Sequence, residues 1–286
     1  MQFLKYFLLV LLAGASLVPN IDPDALAIFV GSTPCDTDMR KAFAVPEKEN
    51  CEFIKWRLQL DDGNKRFQMA VTFGESQPNT NGFKGGGTRR EITGTFQSDE
   101  SFYRLQSPEL QQDLFLVVLN DNLFHLADEN GQLLVGNGGF SYLLNRTPKV
   151  IPSTNIEPMP GLMGMTAGVF DGRTPCDELA PVFRIAYTPE CIKMKWRLKL
   201  FNTTPETGTF ELLTINYRDQ NTLKGSWRMI SSSLQVPVLE LKLPTLNQTV
   251  YFFKAGEHVL LFLNDEKQLR VGNSDFSYAL NRMPGK

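Results

Sequence analysis

The chain has 286 residues, of which 42% are hydrophobic and 21% charged, with a formal net charge of -2. This hydrophobic content excludes a disordered chain, and the near-neutral balance leaves no electrostatic footprint for nucleic acid or an anionic membrane. The length is too great for one small domain and comfortable for two.

Residues 1–15 read as a signal peptide. Lys5 supplies the positive start, Tyr6 to Leu12 the apolar stretch, and Ala13-Gly14-Ala15 a small-residue cleavage site. A spanning helix needs roughly 20 apolar residues, and this run meets Pro19, Asn20 and Asp22 too early. The expectation is therefore export to the periplasm or beyond, with no transmembrane segment. No cysteine follows the apolar stretch, so no lipid anchor is expected either. Loss of Lys5 with the leader takes the net charge to -3.

The rest is one pattern written twice. Thr33-Pro34-Cys35-Asp36 recurs as Thr174-Pro175-Cys176-Asp177, and Lys55-Trp56-Arg57-Leu58 as Lys195-Trp196-Arg197-Leu198. Val135-Gly136-Asn137, Phe140-Ser141-Tyr142 and Leu144-Asn145-Arg146 recur as Val271-Gly272-Asn273, Phe276-Ser277-Tyr278 and Leu280-Asn281-Arg282. The offset drifts from 141 to 136 residues, far longer than a solenoid repeat, so the copies are duplicated domains. We place them at 28–148 and 168–284. Between them, 149–167 is a Pro- and Met-rich linker carrying Pro152, Pro158, Pro160, Met159, Met163 and Met165.

Four cysteines allow three pairings, and repeat symmetry selects Cys35 with Cys51 and Cys176 with Cys191. Each bridge closes a short loop and contributes on the order of 3 kcal/mol. Metal-ligand spacing such as C-x2-C is absent, so neither a metal nor a cofactor is expected.

Within each copy the dominant period is two. Ile54, Trp56, Leu58 and Leu60 alternate with polar residues, as do Met194, Trp196, Leu198 and Leu200. Further strands are expected at 169–172, 209–217, 224–229, 238–243, 249–253, 259–264 and 276–281. Asn130-Gly131 reads as a two-residue hairpin turn, both positions tolerating positive φ. The one helical candidate is Asp177 to Ile185, inside the disulfide loop, with Asp177 as N-cap. Many short strands in up-and-down order predict an all-β protein: two tandem antiparallel barrels, each with a short disulfide-closed helical insertion.

The opening motifs, with Gly31 and Gly172 ahead of them, resemble those of the N-terminal domain of the NlpE family. These are bacterial copper-homeostasis lipoproteins of the cell envelope. The likeness continues through Leu223-Lys224-Gly225-Ser226-Trp227, residues 238–243, Tyr251 to Phe253, residues 259–263 and Phe276 to Arg282. It implies a lipocalin-like barrel and a role in metal handling, surface sensing or envelope stress. The family's Cys-x-x-Cys opening is altered, with Asp38 and Leu179 at the second position, and its lipid-attachment cysteine is missing. What the resemblance carries over is fold and location.

Chemistry-bearing residues are sparse. Alignment of the copies sets His125 against Leu261 and away from His258, so no shared histidine site arises, and both read as ordinary strand residues. With no free thiol expected, nucleophilic catalysis lacks its usual parts. Asp36 and Asp177 read as caps of the loops after the cysteines. The insertion Gly74 to Arg90, found only in the first copy, contains Gly82, Gly85, Gly86 and Gly87 with Lys84, Arg89 and Arg90. It lacks the ending of a phosphate loop and reads as a flexible basic hairpin, the best candidate contact surface. Asn145-Arg146 and Asn281-Arg282 read as rim residues bonding the last strand to the first. Trp56 and Trp196 read as core, with a ligand cavity as the competing reading.

Three functions follow in order. The first is a non-enzymatic envelope protein acting through protein interaction, sensing or metal homeostasis, its partner unknown. The second is a carrier of a small apolar ligand or metal in the barrel, and the third a carboxylate-based hydrolase.

Overall fold

A computed structural model describes residues 26–99, 101–148, 150–153, 156, 164–216, 220–231 and 236–285. The signal-peptide segment and most of the linker, Met159 and Met163 included, lie outside the described residues.

Alternation of apolar and polar side chains produces two closed eight-stranded antiparallel barrels. The first is built from β1 (Ala27–Pro34), β2 (Phe53–Asp61), β3 (Arg66–Gly74), β4 (Thr88–Ser98), β5 (Phe102–Gln106), β6 (Leu114–Asn120), β7 (Leu123–Ala127) and β8 (Leu143–Thr147). The second comprises β9 (Gly168–Thr174), β10 (Met194–Thr204), β11 (Thr207–Ile215), β12 (Gln220–Ser231), β13 (Pro237–Leu243), β14 (Gln248–Lys254), β15 (Val259–Leu263) and β16 (Ala279–Arg282). Each strand pairs with the next, and β8 and β16 return to β1 and β9. Closure consumes both sheet edges. It also demands close approach: a Cβ on Gly31 would lie 2.3 Å from the Leu143 carbonyl oxygen, and one on Gly172 2.3 Å from that of Ala279. That is the physical content of the two opening glycines.

In β10 the first seven residues alternate strictly between buried and exposed, so Met194, Trp196, Leu198 and Leu200 point inward. Each such fully buried side chain stabilises the fold by roughly 1.5–3 kcal/mol. The inner faces form one side-chain core per barrel. Among the described residues no helix is long and apolar enough to cross a membrane.

A short helix covers one mouth of each barrel. In the first, α1 (Thr37–Ala42) starts at Asp36, whose carboxylate accepts the Met39 amide at 3.2 Å. In the second, α2 (Leu179–Val182) is shorter than the 177–185 span expected, and Glu178 rather than Asp177 stands at its N-cap. Asp177 instead accepts the Glu178 amide at 3.0 Å. Disulfides Cys35–Cys51 and Cys176–Cys191 tie each helical loop to the start of the tryptophan strand, with Cα atoms 5.7 and 5.9 Å apart.

Two local expectations change. The turn after β7 contains three residues, because Asp128 and Gln132 close it and only Gly131 has positive φ. Asp128 favours this longer loop by accepting the amides of Asn130 and Gln132 at 2.9 Å. The last strand begins at Ala279, not Phe276. Phe276 and Ser277 are held outside the ladder by the Asn273 side chain and by contacts to the other barrel.

Candidate functional site

The recurring motifs assemble into one latch per barrel. The Trp56 indole N–H donates to Thr33 Oγ1 at 2.8 Å, and Trp196 to Thr174 Oγ1 at 2.9 Å. Each indole also packs against an aromatic ring that ends the covering helix: Phe43 lies edge-on to Trp56 at 4.9 Å, and Phe183 lies 4.7 Å from Trp196. The Tyr142 hydroxyl donates to Asp36 and that of Tyr278 to Asp177. Burial, together with these carboxylates, pushes both phenols far above the usual tyrosine range. Thr-Pro-Cys-Asp, the tryptophan strand and Phe-Ser-Tyr therefore fasten a helical lid over a packed barrel. Trp56 and Trp196 are each 3% exposed within the side-chain cores, so neither indole faces an open chamber. Asp36 is occupied by the helix cap and Tyr142, and Asp177 by the Glu178 amide and Tyr278.

The two barrels dock through equivalent surfaces. Leu119, Leu123 and Leu143 of the first pack with Ala255, Val259 and Ala279 of the second in a third apolar core. These sets match one another by strand register, since Val117 faces His125 as Phe253 faces Leu261. Polar contacts across the junction are reciprocal. Asn145 Oδ1 accepts the Gly272 amide at 2.8 Å, and Asn281 Oδ1 accepts the Gly136 amide at 2.8 Å. Asn145 also donates to Ser277 Oγ at 2.9 Å. A side chain on either glycine would meet the opposing asparagine within 3 Å, which explains the recurring Val-Gly-Asn. Residue i meeting j′ while j meets i′ is the signature of an isologous contact.

The rim reading of Asn-Arg therefore divides. Arg146 and Arg282 do stay in their own barrels, stacking over Phe29 and Phe170 and donating to nearby carbonyl groups. The asparagines chiefly join the barrels, with one weaker bond from Asn145 back to Val30.

His125 is fully buried on the face of β7 that carries Leu123, opposite Leu143 of the junction core. Its Nδ1 meets the Leu126 carbonyl oxygen at 2.7 Å, and its Nε2 has no hydrogen-bond partner. Burial holds its pKa down at about 4. His258, expected in a strand, stands exposed in the turn before β15.

The insertion of the first copy folds onto this junction. Lys84 pairs with Glu75, Arg89 with Glu91, and Arg90 donates to the Phe43 carbonyl oxygen beside the lid. Gly85, Gly86 and Gly87 have positive φ and lead straight into β4, so no helix follows that would complete a phosphate cradle. Phe83 stacks on Phe53 at 4.2 Å, Phe53 on Phe140 at 4.7 Å, and the Arg173 guanidinium lies 5.8 Å from the Phe140 centroid. Asp275 of the second barrel receives Lys55 at 2.5 Å and Asn81 at 3.0 Å. The basic hairpin is thus committed to contacts within the chain.

Around Arg173 the junction opens into two clefts of about 600 and 240 Å³, which share Gly138, Asp171 and Arg173. Here the copies differ in chemical type. Ser32 and Phe53 of the first become Arg173 and Lys193 in the second. Reading the copies for their likenesses passes over this site, and reading them for changes of chemical type finds it. Among the described residues no cluster of three or more His, Cys, Asp or Glu is placed to hold a metal. Comparison with family models, curated proteins and solved structures gives no significant match.

Proposed function

We propose that the chain is an exported, non-enzymatic envelope protein that uses its two-barrel body to bind another protein. The observation that carries this reading is the division between copies. Residues that recur build lids and junction, whereas the cleft also carries residues that differ between the copies, among them Glu52, Gly139, Asp171 and Arg173, whose counterparts are Ile192, Asp275, Val30 and Ser32. A rigid frame with recognition at its variable surface is the usual layout of a binding module. The two disulfides are compatible with an oxidising compartment, and the resemblance to NlpE places sensing or stress signalling among the roles proposed.

Two measurements test it. Protein from the envelope fraction should have an intact mass that begins at Ser16 and lies four hydrogens below the reduced sequence. A photo-crosslinking residue at Asn137, in the cleft, should give a discrete protein adduct in living cells, while the same residue at Glu211 on the outer face of β11 should not. Equal or absent adducts at both positions overturn the interaction reading.

A further inference from the structure

The linker that leaves the first barrel is gripped at once. Asn122, in the turn before β7, donates to the Ile151 carbonyl oxygen at 2.6 Å and accepts the Ile151 amide at 2.7 Å. Pro152 favours an extended backbone at Ile151. Five residues on, Ile156 is buried in the junction core, and Val271 of the second barrel packs against that same core. One side-chain amide and two aliphatic residues thus lay this stretch against the junction.

The equivalent place in the second barrel is a groove of about 640 Å³. Val135, Val169, Met283 and Pro284 give it apolar walls, and His258 stands at its side. Counted along the copies, His258 takes the place of Asn122, Pro284 that of Pro148, and Val135 that of Val271. Val135 is 37% exposed, whereas Val271 is partly covered. Among the described residues none corresponds to Ile151 or Ile156 on this side of the junction.

Another stretch of the chain repeats the sequence of the linker. Val150-Ile151-Pro152 and Asn155-Ile156-Glu157-Pro158 match Leu17-Val18-Pro19 and Asn20-Ile21-Asp22-Pro23, with Ser153-Thr154 as the insertion between the halves. Each stretch precedes the first strand of a copy. Residues 17–23 lie outside the described residues, and beyond the expected cleavage after Ala15, so they stay with the exported chain. We propose that residues 17–23 dock in this groove, Val18 beside His258 and Ile21 against the junction core. The eight residues from Val18 to Leu26 reach up to about 27 Å. That is well beyond the roughly 10 Å between packed sheet faces. An imidazole offers one bond to the backbone at a time where the Asn122 amide makes two. Burial of Val18 and Ile21 therefore carries the contact. The inference does not rest on the interaction reading above, because its occupant belongs to the chain itself.

The test is photo-crosslinking of the full chain with a diazirine analogue of leucine at position 135. Mass spectrometry after proteolysis should place the link on residues 16–25. Mixing chains of two isotopic compositions should show that it forms within one chain. The same probe at position 271 should link to residues 149–158, and at position 242, on the exposed side of β13, to neither stretch. Val18→Asp and Ile21→Asp together should weaken docking about a hundredfold or more, the loss of two buried aliphatic side chains. The link from position 135 should then disappear. Val18→Ile with Ile21→Val conserves volume and apolarity and should retain the link, which separates docking from a general disturbance of the segment. Absence of either link, or a link from position 135 that survives the two aspartates, overturns the proposal. So does a link between two differently labelled chains, which makes the occupant a second copy. A link found only to another protein overturns it too, since the groove is then a partner's site.

Discussion

The two barrels answer the same folding problem with the same residues and then part company on one surface. In the first, Ser32 donates to the Ser274 carbonyl oxygen and Phe53 stacks between Phe83 and Phe140, so this side of the junction is packed. In the second, the equivalent Arg173 and Lys193 leave cations over aromatic rings with no bonded acid among the described residues. Identity between the copies therefore marks the lids and the reciprocal junction bonds, and on this surface the copies differ in charge.

If the frames are truly equivalent, matched substitutions must cost the same. Trp56→Ala and Trp196→Ala should each destabilise by about 3–5 kcal/mol, through a large cavity and an abandoned threonine hydroxyl. Denaturant unfolding of the two variants checks this, and a cost confined to one copy breaks the comparison.

His125 offers a sharper contrast, because the second copy has Leu261 at that place. The folded pKa of about 4 lies below the ordinary 6.5, so the fold favours the neutral ring. Its contribution is complete above pH 6.5 and is lost as pH falls towards 4, by about 3 kcal/mol in total. Stability curves at pH 7 and pH 4 should show that loss in addition to any carboxylate effects. His125→Leu should remove it without lowering stability at pH 7.

The junction should respond symmetrically as well. Asn145→Ala and Asn281→Ala each strand a glycine amide and should cost about 1–3 kcal/mol. Asn145 should lie at the upper end, because it also bonds Ser277. Hydrogen exchange at the Gly272 and Gly136 amides reports each loss separately.

The smallest effect lies in the turns. Gly131 and Lys267 occupy the same positive-φ position of equivalent loops. Gly131→Lys should therefore cost only about 1 kcal/mol in thermal unfolding. An unchanged melting temperature would mean that the loop of copy one absorbs the change.

Strand positions, barrel closure and both disulfides were legible because the alternating strands at Trp56 and Trp196 and the paired cysteines report a barrel's own interior. The junction was not. Recurrence of Asn145 and Asn281 is equally compatible with bonding inside a barrel or across two, and only register and distance distinguish them. One signal was available: Leu123 to Ala127 and Val259 to Leu263 are buried at every position, and runs without alternation belong to strands covered on both faces. Turn lengths and the start of β16 escaped because side chains such as Asp128 and Asn273 redirect the backbone there.

The reciprocal asparagine–glycine bonds have a consequence for what the chain can vary. In a homodimer with this contact, every substitution would appear on both sides of the axis, and a second arginine would replace Ser32 whenever one replaced Ser32's partner. Two halves joined covalently meet at an effective concentration set by the connection between them, not by abundance. They are also free to change one at a time. A single Arg173 facing a single Phe140 is an arrangement that a symmetric homodimer cannot hold, so the asymmetry of the cleft is a property of the joined chain and of neither barrel alone.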